Sequence, residues 1–294
     1  MTWFFPGVVG LTLCMAAPSS RGQEQAARGS VSDLKRIPDK LVVLTFDDCN
    51  KSDRGFVADE IRKHGFGATF YVTEGLGFLH NKKHYVTWKE IVELHEMGFE
   101  IGNHTKTHPH MPRLSKEAMK EELLHIEKRC AEHGIPKPVT FCYPGFGNNL
   151  ACVEVLMGLG YQFARRGVGP EFRDGGRGAR GPVYVPGEDH PLLVPTTGYA
   201  GPDWQFEDLV WAVEQARDGK VAVLCYHGVP ALDHSWVSCK PDEFRKHMRY
   251  LKEQGCTVIA MRDLAHYVDP TVGPVDPYAP IKARVAKRSG KESP

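Results

Sequence analysis

Two short stretches of this sequence combine side chains that can bind a metal ion and move a proton. Residues 45–48 read T-F-D-D and close the apolar run 41–44, so Asp47 and Asp48 follow a predicted strand directly. Farther along, His104 and His108 stand at i and i+4, a spacing that predicts both imidazoles on one side of a helical turn. Two imidazoles and one carboxylate can form an open metal site, and the other carboxylate can take a proton from water.

Each stretch alone also has an ordinary structural interpretation. Two acidic residues at a strand end often form a turn or cap the next helix, and exposed histidines occur at this spacing by chance. Here both stretches follow predicted strands, and they occur in one chain. The combination favours a metal-dependent enzyme.

The order and context of these motifs resemble the polysaccharide deacetylases, metal-dependent carbohydrate esterases of the NodB homology type. That family's first motif reads T-F-D-D, as at 45–48, and its second reads H-[ST]-x-x-H, as at 104–108. The resemblance covers roughly residues 39–268 and marks a divergent member. It implies an α/β fold, a distorted (β/α)7-8 barrel, in which the carboxyl ends of the strands share one face.

The resemblance also implies roles for the four polar residues. Asp48, His104 and His108 would hold a divalent ion, with zinc as the first expectation, although other divalent transition ions suit such ligands. Asp47 would be the catalytic base that takes a proton from the attacking water.

The family's third motif, R-x-P-[FY]-G, is matched only in part, because Cys142 stands where the arginine belongs. The resemblance implies that Tyr143 and Pro144 bind substrate, the backbone N–H of Tyr143 contacting the oxyanion. The family's arginine pairs with the catalytic carboxylate and tunes its pKa. Here Arg165 or Arg166, at the end of the next predicted strand, could supply that charge, or they could form a surface pair.

The fifth motif is an apolar strand that ends in histidine, and residues 221–227 match it. The resemblance makes His227 the general acid that protonates the leaving amine; the alternative is a core histidine. Trp236 could form an apolar wall against the sugar or its acetyl methyl group. The fourth motif is echoed only loosely, at 188–190 and 203–204, and no role is assigned there.

Composition narrows the class of partner. The chain of 294 residues has 37 Lys and Arg against 36 Asp and Glu, a net charge of +1, which provides no field to attract nucleic acid or an acidic polymer. A neutral N-acetylated glycan fits better. Eight cysteines without a C-x-x-C pair indicate no structural zinc site, and Cys49, Cys142 and Cys225 near the motifs are interpreted as packing residues.

The amino-terminal segment predicts export. Residues 3–17 are apolar and a polar run follows to residue 29, which is typical of a secretory signal peptide with a spacer. The stretch is too short and poorly flanked for an integral membrane span. Because no Lys or Arg precedes it, a misassigned start is the alternative, and the bulky Leu13 before Cys14 argues against a lipoprotein.

The rest of the chain predicts one β/α domain at 30–269 and a Pro-rich, basic, disordered tail at 270–294. Helices are predicted at 88–97, from 115 to about 130, at 208–217 and at 241–254. The Gly- and Pro-rich stretch 166–201 is predicted to be a long loop with short strands around 183 and 193. Strands are predicted at 41–46, 68–72, 99–103, 139–143, 162–165, 221–226 and 257–260.

The sequence therefore predicts a metal-dependent hydrolase that removes N-acetyl groups from a carbohydrate polymer or oligomer. An O-acetyl esterase or a small cyclic amide hydrolase on the same fold is an alternative. An inactive glycan-binding relative is another, but it should show altered metal or base residues, and the four at 47, 48, 104 and 108 are intact. The sequence leaves the oligomeric state open.

Overall fold

A computed structural model describes residues 1–3, 34–172 and 177–290 of this chain. The predicted signal segment 1–29 lies outside the described residues except for its first three. The chain divides into two compact units, Met1–Asp33 and Leu34–Pro294, and every described helix and strand belongs to the second. Among the described residues, no helix is both long and apolar enough to cross a membrane.

Nine strands lie in the described part of the chain, and they form one mostly parallel sheet. The seven predicted strands are present with bounds that differ by at most one residue at each end. The strands are β1 Leu41–Phe46, β2 Thr69–Val72, β3 Glu100–Asn103, β4 Thr140–Cys142, β5 Phe163–Arg165, β6 Ala179–Arg180, β7 Gly198–Tyr199, β8 Ala222–Tyr226 and β9 Thr257–Ile259.

The strand order is β5-β4-β3-β2-β1-β8-β7-β6, and β9 pairs with the first half of β1. The segment 194–200 closes this sheet into a barrel. Val194 exchanges backbone hydrogen bonds with Ala164 and Arg166 beside β5, both 2.9 Å, while Thr197 and Ala200 donate to Val223 and Cys225 of β8. The predicted α/β barrel is confirmed, with closure through a short, irregular strand.

Seven α-helices lie in the described residues, mostly on the outside of the sheet. Thr87 forms a capping box with Glu90, and Ser115 caps the next helix through its hydroxyl; both helices begin within one residue of their predicted starts. The helices are α1 Ala58–Lys63, α2 Trp88–Glu96, α3 Lys116–Glu132, α4 Leu150–Gly158, α5 Phe206–Glu214, α6 Pro241–Glu253 and α7 Ala279–Arg288.

Alternation along the strands separates the barrel interior from the layer under the helices. In β1, Val42, Leu44 and Phe46 join the core beneath the helices, whereas Leu41 and Val43 pack with Val221 and Val223 inside the barrel. The same two-residue period continues past the strand ends, so it decides which polar side chains enter the site.

Two predictions for irregular segments are wrong. The sequence predicts a disordered tail at 270–294, but α7 lies within it, Ile281 is buried and Arg284 pairs with Asp189; residues 291–294 lie outside the described part. In the loop 166–201 the strands are β6 and β7, and Leu193 ends a 3-10 turn. Only single bridges, Tyr184 to Val221 and Val194 to Arg165, lie near the predicted positions.

Candidate active site

The polar residues singled out by the motifs converge at the carboxyl ends of the strands. Asp47, His104, Arg165 and His227 each continue the inward-facing alternation of their strands, and each is less than a tenth exposed. Parallel strands end on one face of a barrel, so residues distant in sequence meet there.

Asp48, His104 and His108 form one cluster. The Oδ1 atom of Asp48 lies 3.4 Å from Nε2 of His104 and 3.5 Å from Nε2 of His108, and the three residues have the spacing of a metal-binding group. Oδ1 is buried and has no hydrogen-bond partner among the described residues. A buried acceptor facing two imidazole nitrogens is an arrangement that a cation would satisfy.

The predicted helical turn between the two histidines is wrong. Residues 104–108 form a loop with positive φ at Thr105 (70°) and His108 (57°). The loop is held by α3, because Glu122 accepts hydrogen bonds from the backbone N–H and the hydroxyl of Thr107, both 2.8 Å. The imidazoles meet through loop geometry and not through helical spacing.

A backbone contact fixes the tautomer of His104. Its Nδ1 lies 2.7 Å from the carbonyl oxygen of Cys142 and must donate the hydrogen bond, which leaves the Nε2 lone pair toward Asp48 in the neutral ring. Burial alone would lower the pKa of His104, but its contact with Asp48 and the charge of Asp47 outweigh this and raise it. Burial and the neighbouring His104 lower the pKa of His108 to about 4.

Asp47 pairs with Arg165, which lies on a different strand from the arginine of the family's third motif. Nη2 of Arg165 donates to both oxygens of Asp47, at 2.6 and 2.5 Å, and both side chains are buried. Arg165 on β5 is the direct register partner of Cys142 on β4, so the guanidinium comes from one strand over. Burial favours a neutral Asp47, but Arg165 and the nearby histidines hold its pKa below the ordinary value.

Two thiols complete the surroundings of Asp47. Sγ of Cys142 and Sγ of Cys225 lie 3.5 and 3.7 Å from Oδ2 of Asp47, in position to donate weak hydrogen bonds. Burial raises the pKa of both thiols well above the ordinary value, so they stay protonated. The two cysteines are therefore more than the packing residues that the sequence predicts, since both contact the carboxylate.

His227 lies between the two carboxylates. Its Nε2 is 3.8 Å from Oδ2 of Asp47 and 3.9 Å from Oδ2 of Asp48, and burial lowers its pKa. Its Nδ1 has no hydrogen-bond partner among the described residues. Of the weak matches to the fourth motif, Asp189 pairs with Arg284, and Trp204 packs in the core beneath the helices.

His234, which no sequence motif marks, lies at the same site. Its Nδ1 is 3.8 Å from Oδ2 of Asp48, and its ring lies 5.0 Å from that of Trp236, which is 53% exposed at the rim. The neighbouring Asp233 accepts hydrogen bonds from His84 and Asn81 and so ties this loop to the loop 73–86. No strand motif marks this loop, and its position follows only from tertiary contacts.

Three predicted residues have other partners. The backbone N–H of Tyr143 donates to the carbonyl of Arg165 (3.1 Å) within the sheet, and its hydroxyl donates to the carbonyl of Leu192, so this N–H is already engaged and is not free for the predicted oxyanion contact. The alternation along β4 turns the Tyr143 side chain away from the barrel interior, and it packs under the helices. The next residue, Pro144, is also buried. Arg166, with the parity opposite to that of Arg165, pairs with Glu171 at 2.5 Å instead of Asp47.

Comparison with known proteins agrees with this fold and motif set. Residues 35–164 match the polysaccharide deacetylase family model. A peptidoglycan-N-acetylglucosamine deacetylase from Bacillus cereus is 30% identical over 125 residues, which is 42% of this chain. The match spans 55% of that relative's length, about half of it.

Solved structures support the fold. The family 4 carbohydrate esterase PdaA from Bacillus subtilis has a TM-score of 0.51 at 18% identity, covering 79% of this chain and 83% of its own. A CE4 family pseudoenzyme from Bacillus anthracis has a TM-score of 0.50 at 16% identity, covering 82% and 68%. The resemblance to the polysaccharide deacetylases that the motifs predict is confirmed, and the family model matches residues 35–164 of this chain.

Proposed function

We propose that this protein is a metal-dependent hydrolase that removes N-acetyl groups from a carbohydrate polymer or oligomer and releases acetate. The observation that carries this proposal is the difference between two adjacent carboxylates. Both oxygens of Asp47 are hydrogen-bonded to Arg165, whereas Oδ1 of Asp48 is buried, has no donor in the part of the chain that the structure describes, and faces two imidazoles. One carboxylate is fixed as a base and the other is available to a cation.

The donor set fits a divalent metal ion. Asp48, His104 and His108 offer one oxygen and two nitrogens, and the contact between His104 and the Cys142 carbonyl presents Nε2 as a ligand. Bound there, a divalent ion such as zinc would polarise the acetyl carbonyl and lower the pKa of water toward about 7.

The protein's own groups then move the protons. Asp47, kept ionised by Arg165, takes the proton of the water that attacks the carbonyl carbon. His227 stands within 4 Å of both carboxylates and gives a proton to the amide nitrogen as the C–N bond breaks. The lowered pKa of His227 makes its protonated form a better donor.

The substrate class follows from charge and from the similar proteins. A net charge of +1 suits a neutral glycan, and the curated relative acts on peptidoglycan N-acetylglucosamine according to its name. Trp236, exposed beside His234, can lie against the apolar face of a sugar ring. An exported location, as the apolar segment 3–17 predicts, would bring the protein to such a substrate.

Acetate release from N-acetylated chitin and peptidoglycan fragments tests the proposal. The protein should release acetate, lose activity on chelation and regain it with zinc. Asp47→Asn should lower kcat by about 10²- to 10⁴-fold, the range for a lost general base, and should still bind zinc in calorimetry. Asp48→Asn should lose both activity and zinc binding.

Two results would contradict the proposal. Activity that is unaffected by chelator would exclude the metal, and unchanged turnover in Asp47→Asn would place the base elsewhere. If Asp47→Asn does not fold, chelation and zinc restoration of the unmodified protein still give an answer. An inactive glycan-binding protein would bind the fragments and release no acetate under any condition.

A further inference from the structure

A cavity of about 440 Å³ lies between the loop after β4 and the carboxyl-terminal segment. Residues 145–148 line one side, and Tyr278 and Ile281 line the other. Gly169 and Pro170 of the long loop complete it. The volume falls within the range of about 300–1,000 Å³ that is typical of small-ligand pockets. The carboxyl-terminal wall lies beyond the segment that matches the family model.

Phe146 connects this cavity with the candidate active site. This half-buried residue lines the cavity, and its ring lies 5.6 Å from the guanidinium of Arg165 and 5.5 Å from the ring of Tyr199. The Tyr199 ring in turn contacts the His227 ring at 5.7 Å. A Cβ at Gly167 would lie 2.6 Å from the Phe146 ring, so a glycine at this position makes room for the ring. The cavity and the catalytic groups are therefore neighbours with one shared side chain.

The cavity is held in shape by buried ion pairs. Arg166 donates to both oxygens of Glu171, and Arg284 of α7 donates to Glu171 and to Asp189. Arg288 also stacks over Phe172 at 3.8 Å. These contacts fasten α7 to the long loop, and the wall that carries Tyr278 is consequently preformed.

The lining selects a neutral ligand. Arg166 is 1% exposed, and its guanidinium donates to Glu171 and to the carbonyls of Leu193 and Gly169, so its charge is already compensated. The remaining lining combines two aromatic rings with the Asn148 amide, whose oxygen accepts from the Tyr278 hydroxyl at 2.9 Å. Aromatic faces beside an amide and a hydroxyl match the apolar and hydroxylated surfaces of a pyranose ring.

We propose that this cavity is a sugar subsite, which binds a further pyranose ring of the glycan whose N-acetyl group reaches Asp47 and His227. The inference rests on the proposed function and adds a requirement for substrate length. The subsite depends on Tyr278, so the carboxyl-terminal segment takes part in substrate binding.

Calorimetry with the metal-free protein tests the subsite without any hydrolysis. The probes are N-acetylglucosamine and its linear β-1,4-linked tetramer. The unmodified protein should bind the tetramer more tightly than the monomer. Tyr278→Ala should weaken tetramer binding roughly tenfold, as expected for loss of an aromatic anchor, whereas Tyr278→Phe keeps the ring and should stay within about twofold. Tyr250→Ala, a half-buried tyrosine on α6 outside the cavity, is the matched control and should bind normally.

A second variant tests the subsite in case Tyr278→Ala does not fold. Ile281→Trp places a bulky ring in the cavity and should also weaken tetramer binding, with a melting transition measured for each variant. Equal affinity of the unmodified protein for monomer and tetramer would overturn the subsite, and so would normal tetramer binding by a folded Tyr278→Ala. Tetramer binding without acetate release from the metal-loaded protein would leave the subsite standing and reject the proposed function.

Discussion

Asp47 and Asp48 are adjacent in the chain, but their carboxylates have different partners. The alternation of β1 sends Asp47 into the barrel, where it meets Arg165. At Asp48 the backbone turns to a φ of 75°, and its carboxylate reaches His104 and His108 instead. A local turn thus gives two neighbouring acids different surroundings, as their proposed roles of base and metal ligand require.

Replacing Arg165 by Gln should raise the pKa of Asp47, because burial favours the neutral carboxyl once the guanidinium is removed. The proposed base, Asp47, must be ionised to take a proton, so the acid limb of the pH–rate profile should move to higher pH. The free energy of unfolding should fall by about 3–5 kcal/mol, since a buried charge loses its partner. Denaturant titration and kcat/KM between pH 4 and 8 measure the two effects.

Arg166→Gln is the matched control for this prediction. Arg166 is the next residue, is equally buried and also pairs with a buried carboxylate, that of Glu171. Its loss should lower stability and leave the acid limb in place. If Arg165→Gln folds and the acid limb of its pH–rate profile does not move, Arg165 does not tune the pKa of Asp47.

Much of the site can be predicted from sequence at the scale of single residues. The structure brings together Asp47, Asp48, His104, His108 and His227, all of which lie in strand-end motifs. The two-residue period of β5 also decides between Arg165 and Arg166, because only the first has inward parity. His234 could not be found in this way, because it lies in a loop whose position depends on contacts distant in sequence.

At the scale of elements, two loops define the rim of the site. The loop 73–86 carries the exposed Leu76 and Leu79, and the loop 227–238 carries Leu232 and Trp236. Asp233 joins the loops through His84 and Asn81, and the next residue, His234, reaches Asp48. Because the joining groups are partly exposed, the contact orders the rim more than it stabilises the fold.

Asp233→Asn should therefore leave the melting temperature close to that of the unmodified protein and raise KM for glycan substrate about three- to tenfold. The physical reason is entropic, since the rim must be ordered when substrate binds. Steady-state acetate release measures KM. Asp242→Asn, which removes an exposed pair with Arg245 on α6, is the control and should change neither quantity. An unchanged KM in Asp233→Asn would separate the rim from substrate binding.

At the scale of the whole molecule, periodic segments were predictable and irregular ones were not. Apolar runs identify β1 and β8, and the starts of α2, α3 and α6 lie within one residue of the predicted positions. The closing segment 194–200 lies in a Gly- and Pro-rich stretch without a clear period, so the sequence gives no sign that it completes the barrel. Helix α7 was missed because its basic composition resembles that of a solvated tail, while one apolar residue, Ile281, and the arginines provide its contacts.

The contacts of α7 predict that the carboxyl-terminal helix stabilises the domain. Arg284→Met should lower the free energy of unfolding by about 2–4 kcal/mol at neutral pH, because the buried Asp189 and Glu171 lose a cation. Burial already raises the pKa of Asp189 above its ordinary value of 3.8, and the variant should raise it further. An acid whose pKa is raised in the folded state destabilises that state as pH rises through the pKa. The loss of unfolding free energy in Arg284→Met should therefore be smaller near pH 4 than at neutral pH. Urea titrations at pH 4.5 and 7.5 measure this, with the exposed Lys282→Met as the control. If the segment were the disordered tail that its composition suggests, both variants would unfold at the same urea concentration as the unmodified protein.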